Sequence, residues 1–140
     1  MELPNDVHPP HAPQAPQAYN PVVLRNLFSI ADWQHEIPWQ PFRDGVYFHR
    51  LYGDGVTGPT AVLIRYDSES RVPLHRHNGY EHIIVLTGAQ SDQNGTATAG
   101  TLVINQPGTE HAIQSNSGCI VLVIYEKPVT FLFEGDHSRF

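Results

Sequence analysis

The sequence predicts an all-β chain, a sandwich or barrel of short strands, and three observations predict it. Apolar runs rich in Val, Ile, Leu, Tyr and Phe recur at close spacing, glycine and asparagine turn signals separate them, and nothing between them has the length or period of an amphipathic helix. A chain of 140 residues is enough for one domain with a core and too short for two ordinary ones.

In chain order, residues 1–21 hold half of all the prolines, including His8-Pro9-Pro10-His11 and the Ala-Pro-Gln repeats. Such a composition buries little apolar surface, so a disordered tail is expected here, with no role for His8 or His11. The barrel domain is expected over residues 22–140. Val22 to Leu24 is a first apolar run. Ser29 or Asp32 is placed to cap a brief helical turn through Trp33 to Glu36, which Pro38 and Pro41 prevent from extending. Strands are then expected over Val46 to Tyr52 and Ala61 to Tyr66, bounded by Arg43-Asp44-Gly45, Gly53-Asp54-Gly55 and Gly58-Pro59. Further runs follow at His82 to Leu86, Thr101 to Ile104, Ile120 to Tyr125 and Val129 to Phe133. Asn78-Gly79, Asp92-Gln93-Asn94-Gly95 and Asn116-Ser117-Gly118 supply the turns between them.

Charge and composition exclude several classes. The net charge is −6 with only eight Lys and Arg, so no basic stripe is available for nucleic acid or for an anionic membrane surface. The longest apolar run, Cys119 to Tyr125, is far shorter than the ~20 residues a membrane helix needs. No charged segment followed by an apolar stretch precedes Arg25, the first basic residue, and a cytoplasmic location is the default expectation. The single cysteine, Cys119, lies in an apolar strand pattern where a buried inert thiol is expected.

One stretch carries chemistry: His75-Arg76-His77-Asn78-Gly79-Tyr80-Glu81, with Gly88 following. Histidines at i and i+2 on a strand point to one side, and Glu81 keeps the parity of His77. A tight turn at Asn78-Gly79 that folded two strands together would start the returning strand at Glu81 and set it beside the histidines. Imidazole and carboxylate suit iron(II), manganese, nickel, copper or zinc. Further along, Pro107-Gly108-Thr109-Glu110-His111 uses a Pro-Gly turn to deliver another histidine into a new strand region.

Together these segments resemble the two motifs of the cupin superfamily, G-x5-H-x-H-x3,4-E-x6-G and G-x5-P-x-G-x2-H-x3-N. The departures are Glu69 in place of the first glycine, a six-residue gap from Gly100 to Pro107, and Ser115 in place of asparagine. The spacing is similar to the subgroup related to the C-terminal cupin-like domain of the anti-sigma factor ChrR. The residues that carry this likeness are Val72-Pro73-Leu74-His75-Arg76-His77, Glu81, Ser91-Asp92, Ala99-Gly100-Thr101, Pro107 to His111 and Gly118-Cys119.

The resemblance implies a single-domain jelly-roll β-barrel, a double-stranded β-helix, in which His75, His77, Glu81 and His111 meet around one divalent metal (zinc, iron(II), manganese or nickel). Strand parity then makes Ile83, Val85 and Ile113 the dry wall of that interior and turns His82 and Glu110 outward. An octahedral ion held by these four groups keeps two positions for a small-molecule ligand; a tetrahedral zinc keeps none. The resemblance thus implies a metal-binding domain that binds or senses a small molecule, and a metal-dependent dioxygenase acting on a small oxygenated compound is the alternative. The H-x3-C-x2-C pattern of the zinc domain through which ChrR grips its sigma factor does not occur in this sequence, so that partner is not carried over. His49, Arg65, Tyr47 and Tyr66 lie in strands where some side chains must face inward, and Trp33 and Trp39 are expected to pack. A homodimer is expected, because edge strands and the segment from Trp33 to Phe42 need covering.

Overall fold

Alternation of apolar residues decides where the chain pairs. The computed structural model describes residues 21–133, so the expectation of a disordered tail falls almost wholly outside the described residues. A short helical segment comes first: a 3-10 turn Leu27–Ser29, the helix α1 Ile30–Trp33 and a second 3-10 turn Gln34–Glu36. It lies where the sequence places it and stops before Pro38, but Ser29 caps it by position only, without a side-chain hydrogen bond. Val22 to Leu24, expected as a strand, forms none.

Ten strands follow: β1 Gln40–Arg43, β2 Val46–Tyr52, β3 Thr60–Tyr66, β4 Ser70–Arg76, β5 Glu81–Asp92, β6 Gly95–Thr98, β7 Leu102–Asn105, β8 Glu110–Ser115, β9 Cys119–Tyr125 and β10 Thr130–Phe131. They run antiparallel in the order β1-β2-β3-β9-β5-β8-β4-β10, with β6 and β7 also paired to β5. The sheet curls into the jelly-roll barrel that the sequence predicts. No helix among the described residues is long and apolar enough to cross a membrane.

Two apolar clusters hold the curl. The first fills the interior with Val62, Ile64, Tyr66, Val72, Ile83, Val85, Ile113, Val121 and Val123. The second lies on the outer face, where Ile30, Trp33 and Ile37 cover Leu63, Leu86 and Ile120. Burying a side chain of the Ile class contributes roughly 1.5–3 kcal/mol. The helical segment thus explains why β3 reads as a continuous apolar run: both its faces are covered, and Thr60 to Ile64 are all buried. Trp33 and Trp39 pack as expected, and each indole N–H donates to a backbone carbonyl, of Asn26 and Gln34 respectively, at 3.0 Å.

The strand β5 makes the corner. Its first half pairs with β7 and β9, its second half with β6 and β8, and its register slips between Val85 and Thr87. Gly88 follows at φ 78°, and a Cβ there would stand 2.1 Å from the Gly118 carbonyl oxygen. Only glycine fits both that conformation and that approach.

Candidate metal centre

A bulge sets the first histidine. On β4 the register passes from Val72 opposite Ile113 to His75 opposite His111, so three steps on one strand match two on its neighbour. An odd separation would put Val72 and His75 on opposite faces, yet both are buried, at 1% and 4% exposure. The extra residue falls at Pro73-Leu74, where proline has no N–H to offer a ladder. The local pattern Val-Pro-x-His is therefore the device that turns His75 inward.

His77 follows immediately after β4, Glu81 opens β5 and His111 is the second residue of β8. All three are buried, at 1%, 5% and 3% exposure. The Pro107-Gly108 turn is fastened to His77 from both sides: the His77 N–H donates to Thr109 O at 2.9 Å and the Gly108 N–H to His77 O at 2.8 Å. One expectation needs correcting here. Asn78-Gly79 does not fold β4 against β5, because β8 lies between them in the sheet. The chain crosses from one side of the barrel to the other, and Glu81 meets His77 by that crossing rather than by a hairpin.

The three imidazoles converge. Ring centroids are 4.7 Å apart for His75–His111 and His77–His111 and 5.2 Å for His75–His77. One ring nitrogen from each lies within 4.8 Å of the others, and among the described residues these three form the cluster able to hold an ion. Glu81 adjoins it through His77, with Oε1 3.1 Å from Nε2.

The outward nitrogens fix the tautomers. Nδ1–H of His75 donates to Pro73 O at 2.8 Å, that of His77 to both Thr109 O and Oγ1 at 3.0 Å, and that of His111 to Asp92 Oδ2 at 2.9 Å. Every Nε2 is left with its lone pair free. Nε2 of His77 and of His111 are buried without a hydrogen-bond partner among the described residues, so the short His77–Glu81 approach brings two acceptors together without the alignment of a hydrogen bond. A metal cation satisfies such a set, and the residues present fit one.

Burial pushes the His75 imidazole down to about 4, which keeps it neutral and able to ligate. Burial pulls the Glu81 carboxyl upward, but protonated imidazoles of His77, His75 and His111 outweigh it and hold it below its usual range, a positive charge that a bound cation would replace when the rings are neutral. Asn105 Nδ2 donates to Glu81 Oε1 at 3.0 Å. For Asp92 burial again raises, while its bonds to His111 and to the Asn94 N–H prevail and lower it.

Other expected positions fall as parity dictates. Ile83, Val85 and Ile113 line the interior; His82 and Glu110 face out, Glu110 paired to Arg76 at 3.1 Å. Of the four strand residues considered for the pocket, Tyr66 joins the interior cluster. Tyr47 and Arg65 stack on the outer face with Trp39, the guanidinium 4.4 Å and 5.3 Å from the two rings, and His49 lies half-buried on that face. The roles of Asp92, Asn105 and Thr109 were not foreseen from the sequence. Asp92 and Thr109 stand in the family-like Ser-Asp and Pro-Gly-Thr-x-His segments, whereas Asn105 carries no signal apart from its place near Pro107.

A cavity of about 310 Å³ opens from the His111 side of the cluster, between β5, β6, β7 and β8. His111, Asn105 and Asp92 form the part nearest the imidazoles, and Gln90, Ala97, Val103 and Ile113 continue it.

A model of the ChrR cupin-like domain family matches residues 30–129. Among solved structures, a chain in the complex of Rhodobacter sphaeroides SigE with the anti-sigma ChrR is 28% identical, with a TM-score of 0.57 over 64% of this chain and 48% of that one. This chain therefore spans about half the length of that relative. An RmlC-like cupin protein from Ralstonia eutropha is 24% identical, with a TM-score of 0.63 over 74% of this chain and 71% of that one. An acetylacetone dioxygenase from Acinetobacter johnsonii is 16% identical, with a TM-score of 0.64 over 99% and 89%. No curated protein matches the sequence.

Proposed function

This chain belongs to the ChrR cupin-like domain family, and from that premise we propose that it binds one divalent transition metal through His75, His77, Glu81 and His111 and uses it to bind or sense a small molecule. The observation that carries this reading is the set of three inward Nε2 atoms, two of them buried and without a partner among the described residues, each fixed by a hydrogen bond at the opposite ring nitrogen. A bound ion would supply a Lewis acid with positions open to a small oxygen-bearing compound. The chain's own residues do the rest. Pro73, Thr109 and Asp92 hold the rings in register, Asn105 steadies Glu81, and Ile83, Val85 and Ile113 exclude water.

Elemental analysis of anaerobically purified protein tests this. About one equivalent of metal is expected after supplementation, and less than about half an equivalent of any transition metal would overturn it. His77→Ala and His111→Ala should each lose the metal.

A second reading, an iron-dependent dioxygenase acting on a small oxygenated compound, draws support from the acetylacetone dioxygenase whose fold this chain matches over 99% of its length. Oxygen uptake by iron(II)-loaded protein with phenolic or diketone compounds would favour it; no uptake, with zinc tightly kept, would favour binding or sensing.

We also propose a homodimer. Leu102 and Ile104 on β7 are 54% and 51% exposed and continue across the outer face to Ile84 and Leu122. Light scattering should give twice the chain mass, and a monomer at micromolar concentration would refute it.

A further inference from the structure

The cavity beside the cluster is chemically selective. Its walls carry the carboxamide of Gln90, the hydroxyls of Ser91, Thr96 and Thr101, the Asn105 amide and the apolar surfaces of Ala97, Val103 and Ile113. Asp92 is the one charged side chain among the described lining residues, His111 being a neutral imidazole in the tautomer given above, and no lysine or arginine is among them. A carboxylate or phosphate in the part of this space away from the imidazoles would face Asp92 with no lysine or arginine to balance it, because a bound metal would already be taken by the oxygen at the ligand's other end. Losing water without such a partner is costly for an anion.

Gln90 is the informative residue. It is 94% buried by its 6% exposure, it lines the cavity, and its Oε1 has no partner among the described residues. It sits opposite Ala97 in the β5–β6 pairing, and the small alanine leaves the space into which the carboxamide faces. A buried amide oxygen with no bond is a vacancy for a donor, and a ligand hydroxyl or N–H supplies one. The volume, about 310 Å³, lies at the lower end of the roughly 300–1,000 Å³ range of small-molecule sites.

The geometry points to a small ligand that binds the metal through oxygen at one end, carries no charge at the other, and there gives a hydroxyl or N–H to Gln90. This rests on the metal reading above, and makes Gln90 the residue that discriminates among compounds with the same metal-binding edge.

Three 5-hydroxy-4-pyranones test it, because they share one chelating edge and differ at carbon 2: kojic acid carries hydroxymethyl, allomaltol methyl and comenic acid carboxylate. Manganese-loaded protein, whose octahedral ion keeps two positions for the chelating edge, should bind kojic acid about tenfold more tightly than comenic acid, and about fivefold more tightly than allomaltol, as one neutral hydrogen bond would give. Gln90→Leu should erase the preference for kojic acid over allomaltol while manganese content and melting temperature stay at the wild-type values. Gln90→Met serves the same purpose should the leucine variant fail to fold. Comenic acid binding as tightly as kojic acid, or affinities unchanged within about twofold in the variant, would overturn the assignment while the retained manganese upheld the metal reading. Protein that takes up no divalent transition metal at all would overturn both.

Discussion

Asp92 Oδ2 accepts the Nδ1–H of His111 at 2.9 Å, from the far end of the strand that begins with Glu81. A carboxylate behind a ligating imidazole fixes its tautomer and raises its basicity, and removing one weakens metal binding roughly 10–100-fold. Asp92→Ala is expected to fall in that range by chelator competition, while His111→Ala loses the metal outright. An Asp92→Ala affinity equal to wild type would mean that His111 is held by packing alone.

Metal binding should stabilise the fold, because the imidazoles that would share an ion come from the end of β4 and from β8, far apart in sequence. At a free metal concentration 100-fold above Kd the gain is about 2.7 kcal/mol. A rise of several degrees in Tm on adding zinc, reversed by chelator and absent in His77→Ala, is the expected outcome of a thermal scan.

Glu69 stands where the family pattern has glycine, and the structure shows why glycine suits it: φ is 62°, in the left-handed region. The side chain is exposed, so the strain is not offset by packing. Glu69→Gly should stabilise the chain by about 0.5–1 kcal/mol, the left-handed penalty less the greater freedom glycine gives the unfolded state. Denaturant melts would reveal it as a higher midpoint at unchanged slope.

Gly88→Ala should do the opposite, since its Cβ would come within 2.1 Å of the Gly118 carbonyl oxygen at φ 78°. A loss of about 3 kcal/mol or more is expected by the same melts.

Cys119 provides a pH test away from the metal. Burial raises its thiol from 9.0 to about 11, against a smaller opposing effect of Ser115. Between those values the unfolded chain has released a proton that the folded chain keeps, so stability falls as pH rises through that window and is untouched by this group below it. The difference in stability between wild type and Cys119→Ala should carry this slope, and native protein should resist thiol reagents at pH 8.

The strands were legible wherever an apolar run met a turn signal, and β2 matches its expected bounds residue for residue. Val22 to Leu24 misled because Leu24 packs against the outer cluster without pairing; burial alone produces the same sequence texture as a strand. The three histidines that converge were legible through spacing and resemblance, but the path that brings them together was not. Register is a property of two strands, so neither the bulge at Pro73 nor the crossing at Asn78-Gly79 can be read from one segment. Ser115, which replaces the family's asparagine, is buried and its hydroxyl ties β8 to the Ala89 carbonyl at 2.6 Å. The serine thus makes a cross-strand bond of its own, where sequence reading registers only a departure.

The corner at Gly88 has a bearing on how the protein would report an occupied site. Eleven residue steps separate Glu81 from Asp92, about 36 Å if the strand ran straight. Both carboxylates instead touch histidines whose rings are 4.7 Å apart. A single strand thus grips the centre at both ends, like a bow strung by its own tips. Tightening at the imidazoles should be felt along the whole arc, as slower amide exchange from Ile83 to Gln90 when metal is bound.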